Sequence, residues 1–415
     1  MKRFLIKRGV LNGKWATLSF LCGLFVVYTI DRALLGLLAL PLQREFGFSD
    51  VQLGFLSSSI FWTYAIAVPF AGVIGDRFDR RRVVGLAAVL WSMMTCFAGF
   101  SSGFWSFLLL VSVAVVLPQT LYGPAANALI ASMHDETRTR AMSCHQAAYF
   151  IGWLASGAAV AGVVAMAGTW RAAFFTFGAA GLLMGVVFLT LCGRGEPLTV
   201  VPGAKGSMMR RSLRSFFGCP SALCAAVGYV AEVFVMCGFC AWGPKFVAQK
   251  FGLSASSAGT GVMFWHYAAS FVAILCAGIL TDRVVGHYPR VRLVFSMSAM
   301  CLMVPSLLLM AIGTSLSAVW AGVGGLGFAM GIVGANQFTN VFDVVPPESR
   351  SSAIGFLNVI AGLCGGLAPA LLGGLSSARG IVGLEIGFLI FAAVQAVPVL
   401  ALGISFFFTF NKDRK

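Results

Sequence analysis

Three ionisable residues stand inside long apolar runs: Asp31 and Arg32 in the first, and Glu232 in the seventh. A charge at the centre of a membrane-spanning helix costs at least about 2.5–3.5 kcal/mol, so each needs a ligand, a proton or a partner to justify it. Arginine keeps its charge at any physiological pH and grips a carboxylate or phosphate with two parallel N–H groups. Tyr28 precedes Arg32 by four positions and Gly36 follows it by four, which puts a hydroxyl, a charge and a gap on one helical face. Two arrangements are open. Asp31 or Glu232 could pair with Arg32 and only fix packing, or an incoming anion could take the arginine while the released carboxylate takes up a proton. Further polar side chains recur in the apolar runs, among them Tyr64, Gln119, Tyr149 and Asn336. Because polar groups are unfavourable against lipid, they are expected to face the protein interior and line a cavity. His145 and His266 are further candidates for titration near neutrality.

The elements that must position these residues follow from composition. Of 415 residues, 59% are hydrophobic and 10% are charged, against roughly 25% charged in a soluble domain. A span needs roughly 20 apolar residues, and twelve such runs are found, near 16–40, 52–74, 83–103, 105–130, 142–166, 171–193, 219–243, 256–280, 293–313, 316–341, 352–376 and 383–410. With the N-terminus inside, 23 of the 29 basic residues fall on the cytoplasmic side. Arg44, Arg171, Lys245, Lys250 and Arg379 fall outside, and Arg32 lies within a span. The net charge of +15 is therefore read as a topology signal in the lipid bilayer rather than a nucleic-acid surface. The first run lacks a cleavage site after its basic start and is expected to stay as a helix. Cys237-Gly-Phe-Cys240 lies in a span with no second ligand pair, so buried thiols are expected and no metal. No P-loop, nucleophile constellation or separate soluble domain is present, so no enzyme and no cofactor are expected.

The chain repeats itself. Phe46-Gly47-Phe48-Ser49 with Gly54 matches Phe251-Gly252-Leu253-Ser254 with Gly259 at an offset of 205. Gly72-Val-Ile-Gly-Asp76-Arg77 matches Gly278-Ile-Leu-Thr-Asp282-Arg283 at 206, and Glu136-Thr-Arg138 matches Glu348-Ser-Arg350 at 212. The expected fold is all-α: twelve transmembrane helices in two six-helix bundles, 1–193 and 219–415, joined by a cytoplasmic linker 194–218. Parallel six-span repeats imply a midplane site reached alternately from the two sides.

The stretch Gly72-Val-Ile-Gly-Asp76-Arg77-Phe-Asp-Arg80-Arg81-Arg82 resembles the loop motif between helices 2 and 3 of the major facilitator superfamily. Asp31-Arg32, Ser59-Ile-Phe-Trp62-Thr-Tyr64-Ala and Gly123-Pro124-Ala-Ala-Asn127 resemble the organic anion:cation symporters within it, while Trp242-Gly-Pro244-Lys-Phe246 is similar to spinster-like lysolipid transporters. The resemblance implies that Arg32 holds an anion, Asp31 carries a proton, and Tyr64 contacts substrate. It implies that Gly72, Asp76, Arg77, Arg80 and Arg81, with Asp282 and Arg283 of the weaker copy, form a conformational latch. One departure matters: Gln119 stands where many relatives carry a glutamate, and Ser112 where they carry an arginine. Either Glu232 supplies a second proton site from the seventh span, or transport is uniport or exchange. The expectation is a monomeric, proton-coupled carrier of a small organic anion in the cytoplasmic membrane, with both termini inside. A lysolipid carrier or a metabolite or drug exporter is the alternative.

Overall fold

The computed structural model describes residues 13–134, 136–191, 213–346 and 349–414, with the side chains of 72, 73, 75–77, 139 and 351 left out. The linker residues 194–212, Lys2, Arg3, Lys7 and Arg8 lie outside the described residues. So do the side chains of Gly72, Asp76 and Arg77, whose backbone is helical.

The described residues are helical almost throughout. In the first half stand α1 (Lys14–Leu37), α2 (Ala39–Phe46), α3 (Asp50–Arg77) and α4 (Arg80–Ala98). Then α5 (Phe104–Phe107) runs through a π-helical segment, Leu108–Val115, into α6 (Val116–Met133), followed by α7 (Arg138–Ala167) and α8 (Arg171–Leu191). The second half holds α9 (Pro220–Phe251), α10 (Ala255–Val284), α11 (Val291–Ile312), α12 (Leu316–Phe342), α13 (Arg350–Gly365), α14 (Leu367–Val394) and α15 (Ala396–Ile404). Among the described residues, eleven helical stretches are long and apolar enough to cross a membrane. The last, Ser352–Asp413, has 62 residues; at 1.5 Å per residue it would run to about 93 Å, three times the roughly 30 Å core. It breaks at Gly380, with φ 58° and ψ −133°, and so supplies two crossings.

The repeat is written in the backbone. Gly47 and Gly252 both end a helix in the left-handed conformation, at φ 65°, and their N–H groups return to the Gln43 and Ala248 carbonyls. Only glycine adopts that conformation without a Cβ penalty. Two residues on, Ser49 accepts from the Gln52 amide and Ser254 from the Ser257 amide, so each serine caps the next helix. Phe-Gly-x-Ser is thus a stop signal and a start signal in four residues.

Two compact units result, one of residues 1–48 and 62–201 and one of 49–61 and 202–415. In the first, α1 packs on α7, and α4 on α6 and α8; Leu21, Leu24, Val84, Trp91, Tyr122 and Phe188 fill its core. Glu45 fastens this unit at one end. Trp170 Nε1 and Arg171 Nη2 donate to its two carboxylate oxygens at 2.5 Å, and Arg171 Nη1 donates to the Gly99 and Ser101 carbonyls. The indole and guanidinium bonds, in that order, hold the Glu45 carboxyl below its usual range.

In the second unit α12 packs on α10 and α11, and α9 on α13. Here one sequence expectation is corrected. Lys245 is not a loop charge, because α9 continues to Phe251 and buries it, its side chain 1% exposed. It pairs with Asp50, which also accepts from Ser376, and it lies over the Trp242 ring at 4.9 Å. Lys250 likewise pairs with Glu385 at 2.8 Å.

Two outcomes follow. Asp50→Asn strands the Lys245 ammonium and is expected to destabilise the protein by roughly 3–5 kcal/mol; adding Lys245→Met should recover most of the loss, as read by unfolding in detergent. A group whose acidity is lowered by folding stabilises above its unfolded pKa and loses that contribution as pH falls through the folded one. The melting-temperature gap between wild type and Glu45→Gln should therefore be present at neutral pH and close only below the ordinary carboxylate range, about 4.3.

Candidate functional site

Successive residues of an α-helix point about 100° apart, so Asp31 and Arg32 cannot share a face. Asp31 turns to α4, where Thr95 Oγ1 donates to its Oδ2 at 3.5 Å. It is 8% exposed, and its Oδ1 has no hydrogen-bond partner among the described residues. Arg32 turns the other way. Its Nη1 donates to the Tyr28 hydroxyl at 3.2 Å, and its guanidinium lies 5.1 Å from the Tyr64 ring centroid and 5.7 Å from that of Tyr28. Tyr149 stands on the same aromatic wall, joined to Tyr28 through the Phe25 ring between them. Among the described residues no carboxylate comes within salt-bridge distance of Arg32. The internal Asp31–Arg32 ion pair is absent, and the arginine is solvated by π-faces and a phenol instead.

Arg32, Tyr28, Tyr64 and Tyr149 therefore come together in the first unit. Phe25, seven residues before Arg32, extends the aromatic wall, with ring centroids 5.6 Å from Tyr28, 5.4 Å from Tyr149 and 4.4 Å from His145. His145 Nε2 lies 3.0 Å from the Tyr122 hydroxyl, which itself donates to the Leu21 carbonyl at 2.6 Å. With that hydroxyl hydrogen committed, the imidazole is the donor of the pair. Trp91 closes the wall against Tyr28 and Tyr122. Sequence reasoning passed over Phe25, Trp91 and Thr95. The signal was present, since 25, 28 and 32 share a face of α1, and 91 and 95 share a face of α4.

The other expected residues lie apart from this cluster. Gln119 is 2% exposed on α6, and its Nε2 has no partner among the described residues. Glu232 is 7% exposed on α9 in the second unit, and its Oε2 likewise has none. Asn336 has both amide atoms engaged within that unit, Nδ2 donating to the Ile332 carbonyl and Oδ1 accepting from Thr281. His266 packs against Phe239 and Tyr267. Of the latch residues, Arg80 Nη1 donates to the Ala128 carbonyl at 3.2 Å and Arg81 lies against Met133. Asp79, beside them, caps α4 by accepting from the Arg81 amide. Asp282 and Arg283 are exposed, with no ion pair among the described residues. Elsewhere in the second unit Arg292 Nη1 donates to both carboxylate oxygens of Asp343, at 2.6 and 2.8 Å.

The family model for the Major Facilitator Superfamily matches residues 20–369. A hexuronate transporter of Bacillus subtilis is 24% identical over 367 residues, which cover 85% of each chain. The voltage-gated purine nucleotide uniporter SLC17A9 of Mus musculus is 25% identical over 352 residues, 79% of this chain and 74% of that one. Among solved structures, a bacterial homologue of the human lysosomal transporter Spinster, inward-facing and occupied, superposes with a TM-score of 0.82 at 20% identity, covering 96% of this chain and 97% of the other. A D-xylose–proton symporter gives 0.77 at 16%, covering 96% and 98%. At these identities the structural likeness is one of fold.

Gly152 fixes the distance between the two helices that carry Arg32 and Tyr149. A Cβ there would lie 2.9 Å from the Val26 carbonyl oxygen and 3.0 Å from the Val26 Cα, both backbone atoms of α1. Gly152→Ala must push α1 off α7 and is expected to cost roughly 1–3 kcal/mol, measured as a lowered melting temperature. Ala148→Gly, on the same helix, should not move α1.

Proposed function

The chain belongs to the major facilitator superfamily, a family of non-enzymatic membrane carriers, and from that premise we propose that it moves a small organic anion across the cytoplasmic membrane by alternating access, coupled to protons. The observation that most supports this reading is Arg32. A fixed, half-buried cation set among tyrosines, with no carboxylate partner among the described residues, leaves its charge for a ligand to neutralise, and its flat guanidinium suits a single carboxylate. The hexuronate and the nucleotide named in two relatives are both anions.

In this reading Arg32 binds the anion, with Tyr28 and Tyr64 stacking and hydrogen bonding to orient it and Tyr149 and Gln119 adding polar contacts. Asp31 carries the proton, because it is buried on the opposite face of α1 with one oxygen free among the described residues and so can change protonation without competing for the arginine. Glu232 supplies the second proton site that Gln119 does not. The stretch from Gly72 to Arg81 acts as the cytoplasmic latch, the chain works as a monomer, and both termini are cytoplasmic.

Glucuronate as probe and purified protein test this. It should raise the melting temperature of the wild type, by an amount worth about 2.7 kcal/mol at a hundred times its Kd, and should not stabilise Arg32→Lys. In proteoliposomes an inward proton gradient should drive accumulation by the wild type. Asp31→Asn should bind glucuronate normally and lose the gradient-driven step. Accumulation at the wild-type level by Asp31→Asn would remove the proton role. Stabilisation by lysophosphatidylcholine but by no carboxylate, independent of Arg32, would replace the anion reading with an amphiphile carrier.

A further inference from the structure

The second unit carries a groove of about 630 Å³, within the roughly 300–1,000 Å³ range of ligand pockets. It is far from Arg32 in sequence and plays no part in the proposed transport chemistry. Its floor is one stripe of α12, in which Ser317, Ala321, Gly324 and Phe328 follow at helical spacing, and Trp265 of α10 and Trp320 of α12 form its walls. All of its helices are apolar enough to cross a membrane. Trp265 is 48% exposed and Phe328 39%, so the groove opens to whatever surrounds those spans.

Three observations identify the occupant. First, the depth fits. Ser317 stands at the start of α12 and Phe328 eleven residues deeper, a drop of about 16 Å, which is one leaflet of a roughly 30 Å hydrocarbon core. Second, the emptiness is kept against local preference. Glycine inside a helix costs about 1 kcal/mol relative to alanine, yet a Cβ on Gly324 would find its nearest neighbour, the Trp265 carbonyl oxygen, at 3.9 Å. No adjoining helix demands glycine there, and its effect is to deepen the trough. Third, the polarity is graded. At the mouth Ser317, whose hydroxyl lies 3.1 Å from that of the helix-capping Ser315, is the one hydroxyl in the lining, while the depth of the groove is aromatic and aliphatic. We propose that this groove binds one acyl chain of a membrane phospholipid, laid along α12 with its ester end at the Ser317 hydroxyl.

Bromine on a lipid chain quenches tryptophan at contact. Delipidated full-length protein in maltoside detergent, titrated with phosphatidylcholine brominated at mid-chain, should show a saturable quenching component. That component should be lost in Trp265→Phe/Trp320→Phe, which removes the reporters. It should be lost again in Gly324→Leu, which fills the trough and keeps both tryptophans; Ala321→Leu serves the same purpose should the first variant fail to fold. Quenching that only rises linearly in the wild type, or a saturable component unchanged in the filled variants, would overturn the site. So would light scattering that shows a dimer converted to a monomer by Gly324→Leu, since a second copy would then be the occupant.

Discussion

An arginine within an apolar span must be solvated by the protein, and the arrangement around Arg32 follows from meeting that demand without a carboxylate. A counter-charge would consume the cation, and the guanidinium is held instead by ring faces and one phenol. Cation–π contacts are worth about 0.5–2 kcal/mol each, less than an unscreened ion pair. The arginine is thus tolerated but left uncompensated, which is the condition for recognising an anion. That need draws Tyr28, Tyr64 and Tyr149 together from three helices, and the Phe25, Trp91 and Tyr122 rings pack behind them.

Charges elsewhere in the fold obey the same rule with a different solution. Lys245 is buried, and Asp50, itself held by the Ser376 hydroxyl, answers it directly; Arg292 and Asp343 close on each other with two bonds. These pairs are internally satisfied and hold helices in place. Arg32, Asp31 and Glu232 are among the groups whose charge or lone pairs the described protein does not fully use, and they are the three that sequence reasoning singled out on cost alone.

Much of the architecture was legible because its signals are local. Twelve apolar runs of spanning length predict the crossings, and Phe-Gly-x-Ser repeated at an offset of 205 predicts a helix stop and start that the backbone reproduces at Gly47 and Gly252. Boundaries were less legible. The spans of 219–243 and 352–376 stop where hydropathy dips, but the backbone hydrogen bonds carry α9 on to Phe251, and the break in the last long stretch comes at Gly380, inside α14. Lys245 looked like a loop charge for that reason. Its burial depends on Asp50, 195 positions away, and no local pattern encodes that pairing.

The sequence by itself determined that this is a membrane protein with an internal repeat, that Arg32 lies within a span, and that Tyr28 shares its face, because composition, repeat offset and helical periodicity are all properties of neighbours along the chain. Tertiary structure alone decided that Asp31 and Arg32 do not pair, that Tyr64 reaches the guanidinium, that Asn336 is engaged between helices, and that α10, α11 and α12 leave an apolar groove. Each of these depends on which helices touch and at what rotation. Rotation is set by close packing between distant segments, such as α1 against Gly152 of α7, rather than by the order of residues within any one of them.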